Sequence, residues 1–326
     1  MNREASIELF TRLGVELASF GATAESDEII ARSIEHNAWF TREDILRAVD
    51  AIRTEMLDSQ RLRQWAEHYP TATAPRRVAV IMAGNIPLVG FFDLLCVILS
   101  GHECHIKTSS KDSVLMGYIV ERLRHIAPEV PIYAYDPTDS YDMAIATGGD
   151  DANRYFREHF SNTRTLLRGS RHSVAILDGS ETPEELQGLI LDITAYSGLG
   201  CRSVSMLFIP RGKELQLPHT TPINPKMTGG LRSIRALYTL QQREYIDYGG
   251  FIALRGDTFP AQLGIVSIAE YDTIGDVEAW IEAHSNTIQC VVTHIPLAGA
   301  IPLGRAQYPT LWDYADGCDT MLWLNA

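Results

Sequence analysis

The chain has 326 residues, 45% of them apolar, and a formal net charge of -13 at pH 7. That length can bury one large α/β core or two smaller ones, while the negative charge opposes phosphate backbones and anionic membranes and so argues against nucleic acid and lipid surfaces as partners. Five cysteines without paired spacing, and no signal peptide ahead of them, imply reduced thiols, no disulfide framework and a cytoplasmic setting.

From the N-terminus, helical spacing of apolar residues predicts helices over 5–18, 25–35 and 60–68, and Thr41-Arg42-Glu43-Asp44 is a capping box that opens another. Together they form a helical lead-in up to about residue 70. After a loop at 70–75, apolar strands are expected at 78–82, 103–107, 132–135, 143–147, 174–177, 204–209, 264–268 and 289–293, alternating with helices. This alternation predicts an α/β chain with largely parallel sheets. The segment 78–101 is apolar enough to raise the question of a membrane span, but Gly84-Asn85, Pro87 and Asp93 interrupt it and Arg76-Arg77 and Lys107 flank it. It reads instead as a strand, a turn over 83–86 and a helix opening at Pro87, the first half of a βαβ unit. A boundary is expected near Asp178-Gly179, followed by a helix over 181–196 that leads to Cys201. Thr320-Met321-Leu322-Trp323-Leu324 reads as an edge strand, whose exposure would pair it with another chain and make a homo-oligomer.

Cys201 is the most informative residue. It lies between Gly198-Leu199-Gly200 and Arg202, at the entrance of an apolar strand. Glycines permit positive backbone torsions and close substrate approach, and Arg202 places positive charge beside the sulfur. A thiol with a pKa of about 8.5 is only slightly ionised at neutral pH, so such charge raises the nucleophilic fraction. A buried structural cysteine is the competing reading. Asn85, in the turn after the first strand, could donate to a developing oxyanion or simply cap the turn. Thr147-Gly148-Gly149 could bring a phosphate or ring close to the backbone, whereas Asp150 and Asp151 beside it read as helix caps. No GxGxxG or GxSxG pattern occurs. His102-Glu103-Cys104-His105 lacks a second tight ligand pair, and 313–319 reads as a capped turn, so no metal is expected.

Taken in order, Gly84-Asn85-Ile86-Pro87, Ile106-Lys107-Thr108-Ser109-Ser110, Thr147-Gly148-Gly149 and Gly198-Leu199-Gly200-Cys201 resemble the aldehyde dehydrogenase superfamily, and within it the LuxC-type acyl-CoA reductases. The resemblance runs from Ala38-Trp39-Phe40-Thr41 to the tail that begins at Gln307-Tyr308-Pro309. It implies a Rossmann-like cofactor domain without the usual glycine fingerprint, an α/β catalytic domain and the helical lead-in, with limits of 1–70, 71–178, 179–298 and a return strand and tail over 299–326. It also implies that Cys201 takes the acyl group as a thioester, that Asn85 and the Cys201 N–H hold the oxyanion, that Lys107 meets the adenosine ribose, and that the nicotinamide dinucleotide lies over Thr147, Gly148 and Gly149.

Two departures bear on the reaction. The stretch 167–173 has no carboxylate where aldehyde-oxidising relatives place a general base, which suits acyl transfer from a thiol carrier over hydrolysis. The glutamate that grips the nicotinamide ribose in relatives is not evident at 260–264. Ser110 and Lys111 stand where relatives preferring NAD carry an acidic residue, which favours NADPH. The expected partner is an acyl-CoA or acyl-carrier-protein thioester, with Leu88, Phe91 and Phe92 lining an acyl tunnel, or else packing in the core, and Arg202 beside the substrate. The alternatives are a cysteine acyltransferase or thioesterase that never reduces, and a catalytically silent subunit.

Overall fold

A computed structural model describes residues 1–326, the side chain of Asp150 excepted. The chain divides into two compact units, Met1–Ser170 with Tyr308–Ala326, and Arg171–Gln307.

The first unit begins with four helices, α1 (Arg3–Leu17), α2 (Ala24–His36), α3 (Arg42–Ala51) and α4 (Ser59–Ala66), with a π-helical turn at Ile52–Met56. Their starts follow the capping residues. Asn2 caps α1, Thr23 and Ser26 form a reciprocal box on α2, and Thr41 accepts from the Asp44 N–H as its motif predicts. The sheet and its helices follow: β1 (Arg77–Ile81), α5 (Phe91–Leu99), β2 (Glu103–Lys107), α6 (Ser113–Ile126), β3 (Ile132–Ala134), β4 (Met143–Thr147), α7 (Asp150–His159) and β5 (Arg164–Arg168). The strand order is β3-β2-β1-β4-β5, all parallel. Alternate residues of β1 serve two cores. Val78 and Val80 join Phe10, Trp65 and Phe91 from the helices, while Ala79 and Ile81 meet Phe156 and Phe160. Phe10 packs edge-on against Phe91, with ring centroids 6.2 Å apart, and burying a phenylalanine fully is worth about 1.5–3 kcal/mol.

The second unit contains β6 (His172–Ile176), α8 (Pro183–Thr194), β7 (Val204–Pro210), α9 (Pro225–Leu240), β8 (Ile246–Asp247), β9 (Ile252–Arg255), β10 (Ile265–Tyr271), α10 (Ile274–Ala283) and β11 (Ile288–Val292). Its strand order is β11-β6-β7-β10-β9-β8, antiparallel only at β8. Helix α8 starts in a capping box of Thr182 and Glu185 with Pro183 in its first turn. From its far end the buried Asp192 accepts the N–H groups of Gly304 (2.6 Å) and Ala306 (3.0 Å). Burial pushes that carboxyl up to about 6 against the pull of those bonds.

Three expectations need correction. The helix predicted to open at Pro87 opens at Phe91, because Leu88 adopts a left-handed conformation (φ 57°) that cannot continue a helix. The predicted edge strand at 320–324 is α11 (Thr320–Asn325), capped by Asp319, with Met321 and Leu324 buried in the first unit's core. Self-association through that edge therefore has no strand to act through. The cap of α7 is Gly149, and Asp151, expected as a capping residue, instead lies inside the first turn, 3.6 Å from Arg154; the Asp150 side chain, also expected to cap, lies outside the described residues. No helix among the described residues is long and apolar enough to cross a membrane.

Candidate active site

The sheet register of the first unit gathers three of the four motifs. Ile81 at the end of β1 pairs with Lys107 on β2 and is followed on its other side by Ala146 on β4. The turns carrying Asn85, Ser110 with Lys111, and Thr147 with Gly148 and Gly149 thus leave adjacent strands at one carboxyl edge. Between β1 and β4 the strand order reverses, the position at which open α/β sheets bind ligands. Asn85, Lys107, Ser110, Lys111 and Gly149 are exposed there, and Thr147 and Gly148 are half-buried.

Close packing explains two of the glycines. A Cβ on Gly84 would lie 2.6 Å from both Cβ and Oγ of Ser109, and one on Gly148 would lie 2.7 Å from the Ala152 Cβ. The Asn85 turn is thereby pressed onto the turn after β2, and α7 onto the turn after β4. Asn153, buried on α7, donates to the carbonyls of Gly148 (3.2 Å) and Arg168 (3.0 Å), which fixes the latter turn.

Beside Lys107 lies a cavity of about 190 Å³, lined by Ile81, Tyr135, Tyr155, Phe156 and His159 among others. Tyr155 stacks on His159, and His159 shares a 2.7 Å hydrogen bond with the Tyr135 hydroxyl. Sequence reasoning missed these aromatics. Their signal is Tyr155-Phe156 repeated four residues later as His159-Phe160 on one helix, facing the strand end at Tyr135. Leu88 and Phe91, expected along an acyl tunnel, are core residues of this unit, and Phe92 packs half-buried against Trp65 and Tyr314.

In the second unit, a 3-10 turn at Ala195–Gly198 delivers the chain to Cys201. Tyr196 (φ 53°), Ser197 (φ 55°) and Gly198 (φ 74°) are all left-handed. For the two non-glycine residues that conformation costs about 1–2 kcal/mol each, and strain of this kind concentrates at functional sites. Cys201 is half-buried, and its carbonyl accepts from the Ser173 hydroxyl at 2.9 Å. The same hydroxyl lies 3.1 Å from the Cys290 sulfur, so a second thiol, not singled out from sequence, stands one serine away. Arg202 donates its Nε to the Ala306 carbonyl at 2.5 Å, tying the cysteine turn to the loop held by Asp192.

Among the described residues, Asp178, Glu181 and His294 have metal-ligand spacing. Backbone and hydroxyl donors already engage the carboxylates: Glu181 accepts from the Asp178 N–H and Asp178 from Ser180. The two ring nitrogens of His294 face Glu185 and Asp178, each at 3.1 Å. Burial lowers the His294 pKa, but these carboxylates outweigh it and raise the value, so a histidine hydrogen-bonded between acids accounts for the group. His102 and His105 are likewise internal: His102 hydrogen-bonds the Leu324 carbonyl, and His105 packs against Tyr133 and Tyr141.

A wholly parallel sheet of strand order 3-2-1-4-5, a second sheet parallel except at β8, and a cysteine on a strained turn at the start of a strand of the second define an aldehyde-dehydrogenase-like fold. An acetylating aldehyde dehydrogenase from Geobacillus thermoglucosidasius superposes with a TM-score of 0.61 at 10% identity, over 90% of this chain and 76% of that one. The NAD+ complex of aldehyde dehydrogenase from Bacillus cereus gives 0.58 at 13% identity, over 90% and 72%. Residues 21–221 match the acyl-CoA reductase (LuxC) family, and the chain belongs to that family. The long-chain acyl-protein thioester reductase of Aliivibrio fischeri is 28% identical over 213 residues, 56% of this chain and 43% of the relative. That of Vibrio harveyi is 25% identical over 269 residues, 75% and 55%. The chain thus spans about half the length of the curated relatives it matches.

Proposed function

We propose that this chain reduces an acyl thioester, presented on coenzyme A or an acyl carrier protein, to the aldehyde, with Cys201 carrying the acyl group and NADPH as reductant. The observation that carries this reading is the family's four turns in series, three of them leaving adjacent strands at one carboxyl edge. The relatives' activity as acyl-protein thioester reductases supports the substrate class.

The first unit's residues fit a nicotinamide dinucleotide. The cavity beside Lys107 offers aromatic faces and a cation to a base and ribose, and the exposed Gly149, with nothing within 4 Å of where a Cβ would stand, leaves the turn after β4 open to close approach. Ser110 and Lys111 would hold a 2′-phosphate, since a hydroxyl and a cation accept the charge that a carboxylate would repel. The cofactor supplies hydride for the acyl carbon.

Cys201 as thiolate attacks the thioester carbonyl, the bond to the carrier sulfur breaks, and the carrier leaves as a thiol after taking a proton. Asn85 donates to the oxyanion formed in that step and again when the enzyme thioester is reduced. Collapse of the resulting thiohemiacetal returns Cys201 as thiolate and releases the aldehyde. No carboxylate occupies 167–173 to activate water against the enzyme thioester, so the acyl group waits for reduction.

The test is NADPH oxidation at neutral pH with a panel of acyl-CoA and acyl-carrier thioesters, together with peptide mapping of the acyl adduct. Thioester-dependent oxidation and an adduct on Cys201 are expected. No adduct from any thioester would overturn the reading, and an adduct without oxidation would make the chain an acyltransferase. Asn85→Ala is expected to slow acylation about 100- to 1000-fold, the range for loss of one oxyanion donor, with NADPH affinity unchanged by fluorescence titration.

A further inference from the structure

The turn that presents Asn85 is held at both ends by buried side chains from other elements. Ahead of Asn85, the Gly84 carbonyl accepts from Nδ2 of Asn37, the residue that ends α2, at 3.1 Å. Behind it, the Leu88 N–H donates to Oδ2 of Asp112 at 2.8 Å. Asn37 is 5% exposed and Asp112 4%. The tip Asn85-Ile86-Pro87 is strung between these two anchors, and because Pro87 has no N–H, Leu88 carries the first amide after it.

Asp112 is placed oddly for a structural residue. It occupies the cap position of α6, where an aspartate ordinarily accepts the N–H groups of the first turn, yet its side chain caps nothing. The carboxyl reaches back 24 residues to Leu88 instead. Its other oxygen, Oδ1, is buried without a hydrogen-bond partner among the described residues. Burial pushes its pKa up to about 7, against the opposing effect of the Leu88 bond. A buried carboxyl with one oxygen unsatisfied costs stability, and Leu88, the residue it grips, is itself held left-handed at φ 57°. Both costs fall on the fixed geometry of one turn.

We propose that Asp112 is a positioning residue for the oxyanion donor, holding Leu88 in its left-handed conformation and so aiming Asn85. The inference rests on the reading of Asn85 and Cys201 given above. Asp112 touches no reacting atom. It acts by denying the turn the backbone rotation that would swing the Asn85 amide away, and misplacement by about 1 Å can cost on the order of 100-fold in rate.

The experiment measures acylation of Cys201 in single turnover, without NADPH, by quenched-flow and intact mass for the wild-type chain, Asp112→Ala and Asp112→Asn. NADPH affinity and melting temperature are recorded for each. Asp112→Ala is expected to lower the acylation rate constant about 10- to 100-fold at saturating thioester, leaving the half-saturating thioester concentration and NADPH affinity near wild type. Asp112→Asn, which keeps an acceptor oxygen for the Leu88 N–H, is expected to restore most of the rate. Equal rates in wild type and Asp112→Ala overturn the proposal while the function stands. So does a parallel loss of NADPH affinity, which would place Asp112 in service of the neighbouring Ser110 and Lys111 instead. A wild-type chain that takes no acyl group on Cys201 overturns the functional reading and this inference with it.

Discussion

Cys201→Ala is expected to remove both the acyl adduct and thioester-dependent NADPH oxidation while leaving the melting temperature close to wild type. The argument is local. Cys201 is only half-buried, and the bond that its backbone carbonyl accepts from the Ser173 hydroxyl is one that alanine preserves. The left-handed run at Tyr196, Ser197 and Gly198 precedes it and does not depend on the sulfur. Loss of the nucleophile takes away the covalent step entirely, whereas loss of a group that assists it leaves residual rate. Cys290 makes the test stricter, because it contacts the same serine hydroxyl. Peptide mapping that finds the acyl group on Cys290 in wild type, or full reductase activity in the variant, would sink the assignment.

Arg168→Met is expected to destabilise the first unit strongly. The Arg168 guanidinium is 5% exposed and donates to Asp93 at 2.6 Å, to the Thr320 hydroxyl at 2.8 Å and to the Ala315 carbonyl at 3.2 Å. Removing one member of a buried pair leaves the other charge uncompensated, at a cost of about 3–5 kcal/mol. Burial already raises the Asp93 pKa in spite of Arg168, which pulls it down. In the variant only the upward influence remains, so the folded state binds more protons than the unfolded chain. Stability of Arg168→Met should therefore recover as pH falls towards the ordinary carboxylate range. Adding Asp93→Leu should recover much of the loss at neutral pH. Urea midpoints at pH 7 and pH 5 check both statements, and a variant no less stable than wild type at pH 7 would refute them.

The parts of the fold legible in the sequence were those where one local force dominates. Met143–Thr147 was read to the residue because a strand covered on both faces is continuously apolar and ends sharply, and Glu103–Lys107 because a charged residue marks each of its ends. β5 was missed because an arginine stands at each end of Arg164-Thr165-Leu166-Leu167-Arg168, and only the structure shows that one of them is buried against Asp93. The terminal helix was misread because Thr320-Met321-Leu322-Trp323-Leu324 has the apolar content of a strand. Its cap is local, Asp319 accepting from the Leu322 N–H, but the burial of Met321 and Leu324 that decides for a helix depends on contacts far away in sequence. At the site, the glycine-bearing turns advertised themselves. The side chains that hold them, Asn37, Asp112 and Asn153, did not, since an amide or carboxylate at a helix end normally means a cap. The aromatic wall around Lys107 was hidden for a related reason, being assembled from a strand end and a helix face that sequence reading treated separately.

Tyr308–Ala326 belongs to the first unit although all of Arg171–Gln307 intervenes, and this sets an order of assembly. During synthesis the five strands β1 to β5 are complete at Arg168, but Thr320, which bonds that arginine, and Met321 and Leu324, which cover the core, are made only after all of Arg171–Gln307. At about 5–20 residues per second the interval is on the order of ten seconds. Through it the sheet stands with part of its core open and the arginine of its buried ion pair lacking two of its acceptors, the Thr320 hydroxyl and the Ala315 carbonyl. Ordering of the inserted unit fixes its own two ends and so shortens the effective loop that the final segment must close, a loop whose entropy cost grows with its length. The core of the first unit therefore closes in a second step, when Thr320–Asn325 packs against it after the inserted segment has been made.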